Sequence, residues 1–538
     1  MVTDVSIIVR PGEEQDSSLI GDKLLLALAE RGIRATNADI QSVFIKKSID
    51  ARRGRVRLVL RYRVYIGEAP NASADEPPQW KYSDGNRTVI IVGAGPAGLF
   101  GALRLLEDGI RPIIIERGSV TQQRKRDIAA ISTRGIVDAN SNYCFGEGGA
   151  GTFSDGKLYT RSNKRGDIDK ILRIFVAFGA DRAILTEAHP HIGTDRLPSI
   201  INAMRARIVE RGGEFHFDSQ CIGFVTTTEA NAPLPRVCGL RLRDTKTGAE
   251  RIIHANALVL ATGHSANDIY ELLAHLAPTA LEEKHFAVGV RIEHPRALID
   301  HIQFHGKPMA QAAEYRLTAQ VDGRGVYSFC MCPGGFVVPS STAPAQIVIN
   351  GMSTALRNSR WSNSAIVVET RPEDIPARFR KQAQDDGCEA LAGLYWRSWL
   401  EAETARHGNG QQAPAQRLTD FLAQCASVTL PRTSYTPGVV ASRLDEWLPA
   451  QISRRLQTAF REYDKNMRGF ICEDALLIAV ETRTSTPVRI LRDKTTFECT
   501  ALRGLYPAGE GSGYSGGIVS SAMDGENVCA AISRILRS

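Results

Sequence analysis

The stretch RTVIIVGAGPAGLFGALRLLEDGIRPIIIERG, Arg87–Gly118, decides how the rest of the chain is read. Thr88–Val92 is a continuous apolar run, as a strand covered on both faces requires. Gly93-Ala94-Gly95-Pro96-Ala97-Gly98 supplies a GxGxxG turn, and an Ala/Leu-rich helix follows. A second strand, Ile113–Ile115, ends at Glu116 with Arg117 beside it. Gly93 serves the tight turn, Gly95 lets backbone approach a pyrophosphate, and Gly98 lets the helix pack on the strand. The helix N-terminus offers free N–H groups and the positive end of its dipole to phosphate. Glu116 stands at the spacing that suits a ribose hydroxyl. GxGxxG alone is a weak signal. Strand, turn, helix, strand and acid in this order predict a dinucleotide site.

The chain around this stretch has 538 residues, too many for one small core, so two or three domains are expected. With 43% hydrophobic and 23% charged residues it has the composition of a soluble globular protein. No run reaches the ~18–20 apolar residues of a membrane span. The start, MVTDVSIIVRPGEE, lacks a basic segment followed by an apolar one, so no signal peptide and a cytoplasmic location are expected. The ten cysteines are scattered without CxxC spacing, which argues against a disulfide framework or a zinc site; no metal is expected.

The domain pattern follows from composition. Residues 1–66 form a small α+β module: strand Val5–Val9, helix Leu19–Arg31, then strands Val43–Ile49 and Arg55–Ile66. In RVRLVLRYRVYI, Arg55, Arg57, Arg61 and Arg63 alternate with Val56, Leu58, Leu60, Tyr62 and Val64, giving one basic and one buried face. A solvated face is the plainer reading of these arginines. A nucleic-acid partner is the sharper one, and it lacks interleaved exposed aromatics. Residues 67–86, GEAPNASADEPPQWKYSDGN, form a linker. The nucleotide-binding domain then occupies 87–265 and resumes at 472–538, interrupted at 266–471 by a substrate or cap domain in which residues 377–408 read as helix.

Two distant stretches choose the dinucleotide. ALVLATG, Ala257–Gly263, is an apolar strand ending in Ala-Thr-Gly, and GLYPAGEGSGYSGGIVSSAMDGENV brings a strand, Gly509-Glu510, a glycine-rich loop and a final helix opening at Gly516-Gly517. This resembles the two-dinucleotide-binding flavoproteins of the glutathione reductase and hydroxylase type. The resemblance implies FAD, with Thr262 and Gly263 at the cofactor, Glu510 toward its ribityl or pyrophosphate region, and the amides of Gly517 and Ile518 at the flavin N1/O2 edge. A helix N-terminus there stabilises the negative charge of reduced flavin. It also implies an α/β fold: a Rossmann-like FAD-binding domain, an inserted α+β domain and the N-terminal module. No second strand–GxGxxG–helix unit exists, so NAD(P)H or another reductant would reach the flavin without a dedicated domain.

A narrower resemblance rests on NYCFGEGGAGTFSDGKLYT (142–160), KHFAVGVRIEHP (284–295), YSFCMCPGGFVVPSS (327–341), INGMS (349–353), APAQRLTDFL (413–422), SYTPGVV (434–440) and ETRTSTPVRILRD (481–493). These stretches are similar to a bacterial family of FAD-dependent dehydrogenases whose substrate is not defined. One departure is Asn267 in GHSAND, where Arg is expected.

Three loops are expected to converge on the flavin: GEGGAGTFSDGK, CMCPGG and TRTSTPVR. In the first, glycines including Gly148 and Gly149 surround Glu147, a catalytic candidate, and Lys157 either pairs with flavin or substrate or is solvated. Arg483 suits a carboxylate or phosphate, or forms a structural ion pair. His264 is an acid/base candidate, or it steadies the loop after the ATG strand. In Cys330-Met331-Cys332 an extended strand would hold the two Cα atoms about 6.5–7 Å apart, near the limit for a disulfide, so a redox bridge needs a turn. The preferred reading has CMCPGG shape the substrate side, with Cys332 catalytic and Gly334 and Gly335 allowing close approach. The expected function is hydride exchange between flavin N5 and an organic small molecule. A monooxygenase and a flavoprotein docked to RNA through the basic sheet are the alternatives.

Overall fold

The computed structural model of the protein describes residues 1–51, 56–69, 76–160, 165–228, 232–309 and 311–537. Two large sheets organise it. The first is parallel throughout, in the order Leu505–Pro507, Ala257–Leu260, Thr88–Val92, Arg111–Ile115, Glu214–His216. Val89, Ile90 and Ile91 are wholly buried, so the central strand is covered on both faces. On one face lies the helix Pro96–Glu107, with Pro at its first turn, crossed closely by the C-terminal helix Ile518–Arg537. Glycine permits that crossing. A Cβ at Gly525 would stand 2.0 Å from the Ala97 carbonyl oxygen, and one at Gly101 2.8 Å from Cys529 Sγ.

The second sheet has seven strands, in the order Thr318–Val321, Arg324–Cys332, Trp361–Thr370, Phe286–Pro295, Leu476–Glu481, Ala413–Arg417, Val439–Ala441. It is antiparallel apart from its last pair. The two sheets share one apolar core that runs from Ile90 and Leu258 through Tyr270 to Val288 and Val368. This is the α/β architecture expected, a Rossmann-like domain with a large insertion.

Several boundaries differ from the sequence reading. Leu476–Glu481 pairs with strands of the inserted sheet, so the chain returns to the first sheet only at Leu505, later than the expected residue 472. Residues 377–408 hold two helices, Ala377–Asp385 and Ala392–Arg406, parted where Gly387 takes φ +80°. A three-stranded antiparallel sheet, Ser219–Thr227, Arg236–Asp244 and Glu250–His254, was not anticipated.

The N-terminal sheet places Arg57–Ile66 between Val2–Val9 and Ile40–Asp50, and the helix Ser17–Ala29 packs on it. Leu58, Leu60 and Val64 are buried beneath that helix, while Arg57, Arg61 and Arg63 are exposed. Arg61 and Arg63 both bind Asp4, at 2.8 and 2.9 Å, which neutralises part of the basic face. Arg52, Arg53 and Arg55 lie outside the described residues. Part of the expected linker is fastened: Trp80 is buried and stacks on Phe178. Among the described residues no helix is long and apolar enough to cross a membrane.

Gly525→Ala forces the two packed helices apart. It is expected to cost about 1–3 kcal/mol, the usual penalty for overpacking, read as a lower urea midpoint. An unchanged midpoint would show that this close crossing is not needed.

Candidate functional site

A cleft enclosing ≈ 1350 Å³, its open mouth included, runs from the carboxyl ends of the parallel strands to the inserted sheet. Its first end is the dinucleotide turn. Gly93 takes φ +110° because Ala261 backbone crosses it: a Cβ there would lie 2.3 Å from the Ala261 carbonyl oxygen. A Cβ on Gly98 would lie 2.0 Å from the Gly93 oxygen. Gly93, Gly95, Pro96 and Ala97 line the cleft, whereas Gly98 serves helix packing behind it.

Glu116 is buried, yet it reaches the cleft wall. Its Oε1 accepts from the amides of Gly118 and Gly146, each at 2.9 Å, and its Oε2 accepts from Ala94 N–H at 3.0 Å. A carboxylate has about four acceptor sites, so roughly one remains for a ligand hydroxyl. Arg117 forms an ion pair with Asp268 and lies over the Phe145 ring at 4.4 Å.

The glycine-rich loop is fastened from below by Arg124, which is completely buried. It donates to the carbonyl oxygens of Asn142, Tyr143 and Glu147 at 2.8, 3.0 and 2.7 Å. Gly146 has no room for a Cβ against Arg124, nor Gly148 against Thr152. Gly149, Ala150 and Gly151 face the cleft, and Gly148 does not. Glu147 corrects the sequence expectation. It lies outside the cleft, accepts from Thr121 N–H at 2.8 Å and pairs with Arg205 at 3.1 Å, so its place in the structure is to order the loop.

The other end is built by Thr262, Gly263, His264, Gly509, Glu510, Gly516, Gly517 and Ile518. A Cβ added to Gly263, Gly516 or Gly517 would meet nothing within 4 Å. These glycines border open space, and the first-turn amides of two helices, at 96 and 518, have no intrahelical acceptor. That donor set, with open space around glycine backbone, fits a pyrophosphate and a flat ring. Burial pushes the Glu510 carboxyl up to about 7 against the pull of Lys284. His264 Nε2 stands 3.9 Å from Glu510 Oε1. Burial, then Arg397 and Arg483, push this imidazole down to about 3, so it is neutral near pH 7.

The inserted sheet supplies Phe329, Cys330, Arg483 and Thr484. Arg483 is gripped by Glu401 through two bonds, Nε to Oε1 at 3.0 Å and Nη2 to Oε2 at 2.8 Å, with Thr482 Oγ1 donating to the same carboxylate at 2.7 Å. The structural ion pair is therefore real, and its Nη1 still fronts the cleft beside Cys144 and Ser265. Asn267, where Arg is expected, accepts from Arg397 Nη2 at 2.7 Å, so a guanidinium from the Ala392–Arg406 helix stands there.

The cysteine motif departs from expectation. Cys332 is wholly buried and outside the cleft, and Cys330 lines it instead. Gly334 and Gly335 admit neighbouring backbone: their Cβ atoms would collide with the carbonyl oxygens of Arg357 and Met352, at 1.7 and 2.5 Å. Lys157 lies 3.7 Å from Asp155 and donates to the Met331 carbonyl. All ten cysteines are free thiols. The CMCPGG segment meets the cleft through Cys330, whereas Asn350 and Ser219 were missed as lining residues. Asn350 sits in INGMS, the one signal that was available.

Two outcomes are expected. Arg483→Met leaves Glu401 charged and buried, and costs about 3–5 kcal/mol in urea denaturation, while Arg483→Met with Glu401→Met recovers most of it. A loss under about 1 kcal/mol in the single variant would contradict this pairing. Glu510 binds its proton more tightly folded than unfolded, so its contribution is complete below its ordinary value of 4.5 and fades as pH rises through about 7. Glu510→Gln should flatten the stability–pH curve across that window; an unaltered curve would contradict the raised value.

Residues 86–136 match an FAD binding domain, and residues 285–484 match the domain described as "FAD-dependent protein, C-terminal domain-like". A chain of Clostridium beijerinckii (strain ATCC 51743 / NCIMB 8052) with the name "Uncharacterized protein" is 39% identical over 447 residues, covering 82% of this chain and 79% of that one. Among solved structures, a geranylgeranyl bacteriochlorophyll reductase-like protein from Thermoplasma acidophilum is 12% identical over 84% of this chain and 79% of its own, with TM-score 0.35. CmlS, a flavin-dependent halogenase, is 11% identical over 84% and 59%, with TM-score 0.33. The chain belongs to the family of that Clostridium beijerinckii protein, and it is an FAD-binding flavoprotein that carries the C-terminal domain of FAD-dependent proteins.

Proposed function

We propose that this flavoprotein is an oxidoreductase that exchanges a hydride with a small organic substrate seated beside the FAD cleft. One observation supports the reading above the others. A second, narrow recess of ≈ 360 Å³, its open mouth included, adjoins the cleft and shares Cys144, Ala150, Ser154, His264, Asn350 and Arg483 with it. Tyr143, Phe153 and Val338 give it apolar walls, and Ser340 adds a hydroxyl. Apolar walls with a few converging polar groups are the usual make-up of a small-molecule site.

Bound FAD supplies two-electron hydride chemistry at its N5. The protein contributes position and charge. Glu401 orients the Arg483 guanidinium, whose Nη1 rests on two long contacts, Cys144 Sγ at 3.5 Å and Ser265 Oγ at 3.4 Å, and would exchange one of them for a carbonyl or carboxylate oxygen of the substrate. Neutral His264 and Asn350 offer hydrogen bonds on the shared wall. The amides that open the C-terminal helix face the same space and favour negative charge on the cofactor. A cytoplasmic setting, and a reductant such as NAD(P)H that arrives from solution, complete the proposal.

The test is to photoreduce the FAD-loaded protein without oxygen, and then admit labelled O₂ in the presence of candidate carbonyl or carboxylate substrates. The proposal expects flavin reoxidation by organic substrate, with no label in the organic product. Label in that product would replace the proposal with a monooxygenase.

A further inference from the structure

The strand Arg324–Cys332 carries a defect that neither the sheet nor the cofactor cradle requires. It pairs with Trp361–Thr370 in regular register as far as Phe329 opposite Ala365, and pairing resumes at Cys332 opposite Asn363. Three steps on one strand therefore face two on the other: a bulge. Cys330 sits within it at φ +45°, a left-handed conformation that residues with a Cβ seldom adopt. Strain of this kind persists where surrounding structure enforces it, and it gathers at functional sites.

The bulge has a specific result. In a flat strand two cysteines one residue apart point the same way, with their Cα atoms too far separated for easy bridging. Here Cys330 faces the FAD cleft, while Cys332 is wholly buried behind it and its Sγ donates to the Cys330 carbonyl at 3.3 Å. The bulge thus removes the extended geometry that would hold a CxC pair apart. Two cations close on the same few atoms. Lys157 donates to the Met331 carbonyl, and Arg291, itself buried, has Nη1 3.4 Å from the Cys330 carbonyl. The Cys330 thiol is pulled down by its hydrogen bond with Cys332 and by the charges of Lys157 and Arg291, against the effect of burial. A thiolate is the nucleophilic form of cysteine.

We propose that Cys330 and Cys332 are a reversible redox pair that exchanges two electrons with the FAD of the adjoining cleft, Cys330 being the sulfur accessible from the cleft and Cys332 its buried partner. In the oxidising direction the two thiols lose two protons, an S–S bond forms between them, and the two electrons and two protons pass to FAD, which becomes FADH₂. In the reverse direction FADH₂ returns them and the S–S bond opens. From outside, a small thiol would attack Cys330 Sγ from the cleft that this residue lines, and Cys332 would leave as the thiolate; a second thiol would then release Cys330 and carry away a disulfide. This exchange adds thiols and disulfides to the substrate classes of the cleft.

The experiment uses the purified, air-equilibrated holoprotein. It is photoreduced stepwise without oxygen, and at each step a sample is denatured, alkylated with iodoacetamide and mapped by mass spectrometry. Cys330 and Cys332 are expected to be unlabelled in the oxidised holoprotein and labelled together after reduction, and apoprotein under the same light should gain no label. Total uptake is expected to be about four electrons per flavin, falling to about two in Cys332→Ser. Labelling of both cysteines already in the oxidised holoprotein, with uptake of about two electrons, would overturn the proposal. Flavin reduction would persist in that case, so hydride exchange at the cleft would stand by itself. The labelling needs no variant, so a poorly folding Cys332→Ser does not blunt it.

Discussion

One buried carboxylate ties the cofactor cradle together. Glu116 ends the second strand of the dinucleotide unit and accepts backbone N–H groups from three places: the glycine turn at Ala94, its own following loop at Gly118, and the distant glycine-rich loop at Gly146. Hydrogen bonds to a charged acceptor are stronger than neutral ones, and a buried charge left unpaired is costly, so these three segments are held jointly. Gly148 N–H on the Ala94 carbonyl and Glu147 N–H on the Ser119 carbonyl extend the same seam, at 2.9 and 3.1 Å. A residue that sequence spacing assigns to a ribose therefore also assembles the loop that faces it.

The opposite wall depends on charge pairing as well. Glu481 and Arg483 flank Thr482 in one short segment, and each is seized by a different element: Glu481 by Arg291 of the Phe286–Pro295 strand at 3.0 Å, Arg483 by Glu401 of the Ala392–Arg406 helix. Burying two ion pairs adds little net stability, because desolvation offsets most of the attraction. What they supply is position. The segment is clamped from two sides, and Arg483 and Thr484 meet the cleft with little freedom to move away.

Much of this was legible in the sequence. The strand–turn–helix–strand unit, the ATG strand and the C-terminal return could be read because each is local: a period, a turn or a glycine spacing within a few tens of residues. The convergence of three separated loops followed from glycine-rich composition and family resemblance. Where the reading failed, the deciding partner was remote. Glu147 looked catalytic because its partners, Arg205 and Thr121 N–H, cannot be inferred from GEGGAG. The exchange of roles between Cys330 and Cys332 depends on cross-strand register, which alternation within one strand cannot reveal. Leu476–Glu481 looked like part of the first sheet because an apolar strand carries no label for the sheet it joins.

Loops far apart in the chain border one cleft, and a single FAD bound there would touch them together. Hydrogen exchange of the apoprotein with and without FAD tests it most directly. Slowed exchange is predicted in three stretches together, 93–98, 146–151 and 516–519. Protection confined to the first stretch, or absent from all three, would contradict the cleft as the cofactor site.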